Sequence, residues 1–375
     1  MSMKSNSKVC FFLPSLNMGG AERVTINLFN ELNHRGDAVD LIVLNGDGPL
    51  RTLIQFENKL IVVPANSLLK GFFKLSHFFK KNNYLVFSVM TQPSILILLI
   101  KFFSVKRLRV IVIEHSSFLN WSKIYGRFKF FAYKLLINRL YRKALSIVTV
   151  SEGMVSDFKS IIKKNHVETF CIYNPIDFNE IIKKSKQALD QYQHIESQEY
   201  KKLVFIGRLS KEKNIDLALD ALKIRKLKED YKLYIIGTGE QEYHLKEKVA
   251  ELGLSERVYF LGFQDNPYKY LKYADGLVLS SSVEGFPSVL VEALVLGVPI
   301  VATDCRTGPS EIITNCKVGE LVPINDREAL ADAISKVLYL HKYSKSDLQL
   351  HAEQFSIDRS IASYINLIKK YKSLE

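Results

Sequence analysis

Short apolar runs alternate with longer stretches of helical periodicity along almost the whole chain, the pattern of parallel sheets whose strands are joined by crossover helices. In the first half, residues 9–13, 38–44, 60–63, 84–90, 109–113, 147–150 and 169–173 read as strands. In the second half, strands are predicted at 202–206, 232–236, 258–261, 276–279, 300–302 and 320–322. Four glycine-bearing loops follow such strands: Gly19-Gly20, Gly207-Arg208, Gly237-Thr238-Gly239 and Glu284-Gly285. Open α/β sheets bind ligands at the carboxyl ends of their strands, so these loops can converge on one crevice. The length of 375 residues suits two domains of ordinary size.

Composition narrows the class. Hydrophobic residues make up 47% of the chain, which allows large buried sheets and argues against disorder. Cys10, Cys171, Cys305 and Cys316 lie far apart with no Cys-x-x-Cys pair, a usage that suits a reducing compartment and disfavours a disulfide framework or a zinc site. No signal-peptide pattern is visible in the polar start, and the longest apolar run, 95–100, is broken by Lys101 and too short to cross a bilayer.

Charge is distributed unevenly. Between Ser67 and Leu145 there are fifteen Lys or Arg and one acid, Glu114, a net of +14 against +13 for the whole chain. Aromatics interleave with these cations, as in Lys70-Gly71-Phe72-Phe73-Lys74, Phe78-Phe79-Lys80-Lys81 and Tyr125-Gly126-Arg127-Phe128-Lys129-Phe130-Phe131. Helices that mix basic and large apolar residues in this way can lie in an anionic membrane interface. A solvated basic face with the phenylalanines packed inward is the plainer alternative. A nucleic-acid surface would also be basic, but no nucleic-acid partner is expected, because it would have to coexist with the site described next.

The most informative stretch is Glu284-Gly285-Phe286-Pro287-Ser288-Val289-Leu290-Val291-Glu292. A strand precedes it and an apolar helical run follows, with Pro287 where a helix can open. Glu284 then sits in a loop and Glu292 about two turns into the helix, beside backbone N–H groups that suit phosphate. Pro287 itself has no N–H, so Phe286, Ser288 and Val289 are the candidate donors. On spacing alone, a solvated loop Glu and a helix-surface Glu explain the pair equally well, since 39 acids produce many such pairs.

Context tips that balance. This stretch resembles the Glu-x7-Glu hallmark of retaining glycosyltransferases of family 4, the glycosyl transferases group 1 with the GT-B fold. Gly207-Arg208-Leu209 with Lys213-Asn214 resembles the family's diphosphate clamp, Gly237-Thr238-Gly239-Glu240 its Gly-x-Gly-Glu turn, and Asn17-Met18-Gly19-Gly20-Ala21-Glu22-Arg23 its Gly-Gly-Ala-Glu loop. The resemblance runs from about Lys8 to the C-terminus. It implies an α/β GT-B fold, two Rossmann-like doubly wound domains facing across a crevice. An acceptor-binding domain would span 1–178 and a nucleotide-sugar-binding domain 179–355, with 183–201 as linker, and a helix within 356–375 would return to the first domain.

The resemblance also assigns roles. Arg208 and Lys213 would hold the leaving diphosphate, Glu292 the ribose hydroxyls and Glu284 the donor sugar. Gly19, Gly20, Gly237, Gly262, Phe263, Gly285, Phe286, Pro287, Ser288 and Val289 would complete the donor side, and Gly20 and Arg23 would face the acceptor. His115, in Glu114-His115-Ser116 after a strand, matches a histidine placed near the donor sugar. Thr307-Gly308-Pro309-Ser310-Glu311 departs from the commoner Gly-Gly form and resembles a variant found in polysaccharide-assembly transferases. No Asp-x-Asp reads as a metal site, and no cofactor or metal is expected.

The implied activity is metal-independent transfer, with retention, of a hexose or N-acetylhexosamine from a nucleotide sugar, UDP-linked by resemblance, to a glycan on a membrane carrier. The implied location is cytoplasmic, peripheral on the inner face of the cell membrane. Another GT-B enzyme, such as a nucleotide-sugar epimerase or a phosphorylase, and a non-catalytic sugar-nucleotide-binding protein are the alternatives.

Overall fold

A computed structural model describes residues 7–17, 19–119, 127–162, 167–189, 192–224, 230–340 and 342–373. Met18 and Tyr125-Gly126 of the motifs above lie outside the described residues. The chain forms two compact units, Met1–Pro175 with Ile357–Glu375, and Ile176–Ser356.

The first unit is built on seven strands, β1 (Lys8–Leu13), β2 (Val39–Val43), β3 (Leu60–Val62), β4 (Tyr84–Val89), β5 (Arg109–Glu114), β6 (Ser146–Thr149) and β7 (Glu168–Cys171). They pair in the order β3-β2-β1-β4-β5-β6-β7, every pair parallel. Strands covered on both faces are apolar at successive positions rather than alternate ones, and Val9, Cys10, Phe11, Phe12 and Leu13 are all buried. The predicted strand 84–90 stops one residue early because Met90 takes φ 71° and ψ 158°, a conformation that breaks the ladder.

Helix Ile357–Lys372 completes this unit. Its buried stripe of Ile361, Tyr364, Leu367, Ile368 and Tyr371 recurs at helical spacing and joins the core formed by Phe11, Phe87 and their neighbours. Tyr364 meets the rings of both Phe11 and Phe87. Ser360 Oγ donates to the Tyr173 carbonyl at 2.9 Å, and Tyr371 OH to the Leu145 carbonyl at 3.2 Å.

The second unit carries β8 (Lys201–Ile206), β9 (Tyr231–Ile236), β10 (Val258–Gly262), β11 (Gly276–Leu279), β12 (Ile300–Thr303) and β13 (Gly319–Val322). Their order is β10-β9-β8-β11-β12-β13, again all parallel. The order reverses between β8 and β11, the switch point where open α/β sheets leave room for a ligand. Residues 183–201 are largely folded into this unit. Asp177 caps helix Phe178–Ser185 by accepting from the Glu180 N–H at 2.9 Å. Ile181 of that helix and Ile195 are buried apolar anchors that a free connector would not need. Among the described residues no helix is long and apolar enough to cross a membrane.

Candidate active site

Backbone bonds tie the ends of β8, β9 and β10 together. The Gly207 N–H donates to the Ile236 carbonyl at 3.0 Å, Leu209 N–H to Thr238 at 2.9 Å, and Gly237 N–H to Gly262 at 2.8 Å. This approach needs glycine at 237. Its φ is +139°, and a Cβ there would lie 1.9 Å from the Gly207 carbonyl oxygen. Three of the predicted donor-side positions, Gly207's neighbour Arg208, Gly237 and Gly262, thus share one rim. Phe263, next along, is half exposed at 50%.

Across the switch point the loop after β11 meets the turn that carries Lys213. Lys213 Nζ donates to Glu284 Oε1 at 2.5 Å, and Ser281 Oγ donates to the same oxygen at 2.6 Å. The Lys213 and Glu284 side chains are only 21% and 10% exposed. Arg208, by contrast, is 68% exposed and pairs with Glu212 one helical turn on. Burial pushes the Glu212 carboxyl up, but hydrogen bonds, Arg208's among them, outweigh it and leave it below the usual carboxylate range. An exposed i,i+4 pair of this kind contributes about 0–1 kcal/mol and leaves Arg208 able to turn to another anion.

The serines that end β11 link both sides of the site. Ser280 Oγ donates to the Lys213 carbonyl at 3.1 Å, and Ser282 N–H to the Glu212 carbonyl at 2.8 Å. Thr303 Oγ1 donates to the Ser281 carbonyl, and Thr307 Oγ1 to the Glu284 carbonyl. Gly308, at φ +96°, lets this loop close on the Gly285–Pro287 turn, since a Cβ would sit 2.6 Å from Pro287 Cδ. Cys305 is buried beneath. Its thiol is pushed up to about 12 by desolvation and by the Glu284 charge, with Lys213 opposing. Helix Ser288–Leu296 opens just beyond Pro287 and carries Glu292, half-buried, in its second turn. Ser288 departs from expectation: its N–H donates to the Phe286 carbonyl at 3.0 Å and so is turned into the loop.

The first unit contributes fewer and more isolated candidates. Gly19 precedes helix Gly20–His34, and the Glu22 carboxylate folds back over it. Arg23 is exposed. His115 follows β5, and desolvation lowers its pKa to about 4, against a hydrogen bond with Asn174, so the ring is neutral at pH 7. Beside it, Glu114 is buried and accepts from Thr91 Oγ1 at 2.8 Å and from Tyr141 OH. Desolvation raises Glu114 to about 7, with the Tyr141 and Thr91 hydrogen bonds opposing.

The basic stretch does not pack all its aromatics inward. Phe79 is buried and Phe130 stacks on Phe118, but Phe73, Phe103, Phe128, Phe131 and Leu135 are 54–85% exposed. On helix Arg127–Tyr141 the positions 128, 131 and 135 fall on one face. A groove of about 700 Å³ between this helix and helix Thr91–Phe103 is lined by Leu99, Phe102, Phe103 and Leu135, with Arg139 and Arg142 at its edge. Among the described residues no group of three or more His, Cys, Asp or Glu side chains is disposed to hold a metal ion.

The hydroxyl scaffold of Ser280, Ser281, Ser282, Thr303 and Thr307 is what motif reading missed. Its only trace in the sequence is a run of three serines closing an apolar strand. Two all-parallel doubly wound units, with glycine-rich loops and a cation–carboxylate pair at a switch point, define the GT-B class of glycosyltransferases. The chain belongs to the GT-B glycosyltransferases: the family model described as Glycosyl transferases group 1 matches residues 186–348, and Glycosyltransferase Family 4 matches residues 18–180.

Among curated proteins, the chain is 28% identical over 93% of its length to an N-acetylgalactosamine-N,N'-diacetylbacillosaminyl-diphospho-undecaprenol 4-alpha-N-acetylgalactosaminyltransferase of Campylobacter jejuni, covering 95% of that protein. It is 26% identical to the amylovoran biosynthesis glycosyltransferase AmsD of Erwinia amylovora, over 89% of this chain and 90% of that one. Of solved structures, Anabaena HepE in complex with UDP and glucose superposes with a TM-score of 0.79 at 20% identity, over 97% of this chain and 100% of that one.

Proposed function

We propose that this glycosyltransferase moves a hexose or N-acetylhexosamine, with retention and without a metal, from a UDP-linked donor to a saccharide carried on a membrane lipid diphosphate. The observation that carries the reading is the Lys213–Glu284 pair at the β8/β11 switch point, 2.5 Å apart and braced by Ser281. Breaking the anomeric C–O bond builds negative charge on the leaving diphosphate, which Lys213 and Arg208 are suited to take up: Arg as a fork, Lys as a mobile point charge. Glu284 accepts hydrogen bonds from the donor sugar and Glu292 from the ribose. The acceptor hydroxyl attacks from the face the diphosphate leaves and passes its proton to that phosphate. His115, neutral at pH 7, is suited to hydrogen-bond a sugar hydroxyl. Gly19 and Gly20 face the donor, and Gly20 and Arg23 the acceptor.

The acceptor class draws on the Campylobacter jejuni relative, whose name states a diphospho-undecaprenol substrate. The exposed Phe128, Phe131 and Leu135, in a stretch with fifteen Lys or Arg and one acid, support docking on an anionic membrane surface. The experiment is incubation with a panel of UDP- and GDP-sugars and an undecaprenyl-diphosphate-linked saccharide. One UDP-sugar should be consumed and the acceptor extended, with the product's anomeric configuration read by NMR. In parallel, neutralising Lys70, Lys74, Lys80 and Lys81 should weaken binding to anionic vesicles by roughly 1 kcal/mol per cation, less at high salt. Consumption of no nucleotide sugar would remove the transferase reading. Equal binding to neutral vesicles would remove the membrane part alone.

A further inference from the structure

We propose that a nucleoside diphosphate takes Lys213 away from Glu284, and that Ser281 is the positioning residue that keeps the Glu284 carboxylate in place when the lysine leaves. This rests on the reading of Lys213 as a diphosphate ligand and adds what Glu284 does to that ligand's binding.

Two donors converge on one oxygen, Lys213 Nζ at 2.5 Å and Ser281 Oγ at 2.6 Å from Glu284 Oε1. They differ in how firmly they are held. Lys213 ends the single turn Lys211–Lys213, and its main chain is fixed at both polar groups, N–H to the Ser210 carbonyl at 3.0 Å and carbonyl to Ser280 Oγ at 3.1 Å. Only the four-carbon stem is free to swing. The stem runs alongside Gly207, where even a Cβ would stand at ordinary contact distance, 3.7 Å from Lys213 Cε. Ser281 is fully buried, with its carbonyl bonded to Thr303 Oγ1. The neighbouring Ser282 N–H anchors the segment to the Glu212 carbonyl at 2.8 Å.

A carboxylate that is 10% exposed cannot lose the ammonium that neutralises it without another hydrogen-bond donor. Ser281 Oγ supplies that donor, and Thr307 Oγ1 holds the Glu284 main chain at its carbonyl. A diphosphate carries more negative charge than one carboxylate, so it outcompetes Glu284 for the lysine. The competition still costs binding energy, because the pair must open first. Glu284 therefore opposes nucleotide binding while serving the sugar end of the donor.

UDP is the probe, since it keeps the ribose and diphosphate but lacks the transferred hexosyl group that Glu284 would touch. Calorimetric titration should show Glu284→Gln binding UDP about fivefold or more tightly than the unaltered protein, the lower end of typical coupling free energies. Lys213→Ala should bind it more weakly. Ser281→Ala, which deprives the buried carboxylate of that donor, should bind UDP about threefold or more weakly than the unaltered protein, and kcat with the UDP-sugar consumed in the panel should fall about tenfold. Ser281→Thr, which keeps the hydroxyl, should recover most of that rate. Should Ser281→Ala fail to fold, Ser281→Cys, a near-isostere with a much weaker donor, is read against the same threshold.

Glu284→Gln binding UDP no more tightly would overturn the competition. Full kcat in a folded variant lacking the serine hydroxyl would overturn the positioning role. Failure of the unaltered protein to bind any nucleoside diphosphate would instead strike the donor reading itself.

Discussion

In the unit Ile176–Ser356 the candidate residues hold one another, whereas in the unit that begins the chain they stand apart. Lys213, Glu284, Ser281, Thr307 and the turns at Gly237 and Gly308 form one continuous set of hydrogen bonds and close approaches. Each position there restricts its neighbours, so the residue types and spacings become recognisable as motifs. Gly19 and Arg23 are joined by the helix-opening bond from the Arg23 N–H to the Gly19 carbonyl at 3.0 Å, His115 bonds Asn174, and the broad basic face is defined by charge and exposure rather than by spacing. A tightly cross-braced site points to one recurring ligand part, such as a nucleoside diphosphate. A surface set by composition suits a partner that is itself extended and variable.

The sharpest way to break this contrast is at the clamp. Lys213→Ala is expected to cut turnover by about 10²-fold or more, by removing a cation aimed at developing phosphate charge. Arg208→Ala should lose a similar factor even though Arg208 sits in an exposed pair with Glu212, because its value lies in the ligand and not in that pair. Steady-state rates on folded variants decide it, and near-normal rates in both would dissolve the clamp.

A milder effect is expected at Glu292, placed in the second turn of helix Ser288–Leu296. Ribose contacts exist in ground and transition states alike, so Glu292→Ala should raise donor KM by about tenfold with kcat little changed. Loss of kcat at unchanged donor affinity would assign Glu292 a different role.

The smallest expected effect probes the first unit through stability rather than rate. Glu114 holds its proton more tightly folded, near 7, than at its ordinary 4.5, so its stabilising contribution is complete below 4.5 and lost as pH rises through 7. His115 works in the opposite sense: its contribution is lost as pH falls from 6.5 through about 4. Glu114→Gln removes the first dependence only. The variant's stability relative to the unaltered chain should therefore be greater at pH 8 than at pH 5, by about 2 kcal/mol in urea unfolding. A difference independent of pH would mean that Glu114 is ionised in its buried site.

The strands were legible because parallel strands covered on both faces carry near-continuous apolar runs, and β1 and β11 are as clear in sequence as in structure. Strand ends were less legible where backbone conformation intervenes, as at Met90. That Lys213 and Glu284 face one crevice followed from two motif loops after strands, though their direct pairing did not. Ser281 did not, because a hydroxyl becomes a positioning group only through the tertiary placement of what lies across from it. The stretch 183–201 reads as a connector from its charge, yet Leu189 and Ile195 within it are buried. Whether the aromatics of 67–145 face in or out depends on how each helix is rotated, which near-uniform mixing of Phe and Lys does not reveal.

On the proposed reading, nucleotide recognition belongs to residues 176–356, while sugar transfer also needs the first unit. The most direct test is His115→Ala, measured for UDP affinity by calorimetry and for transfer with the consumed UDP-sugar in the same preparation. UDP affinity should stay within about threefold while transfer falls by about 10²-fold, the loss typical of removing a positioned group at the reacting centre. Loss of UDP binding in that variant, or transfer at the full rate, would contradict the division.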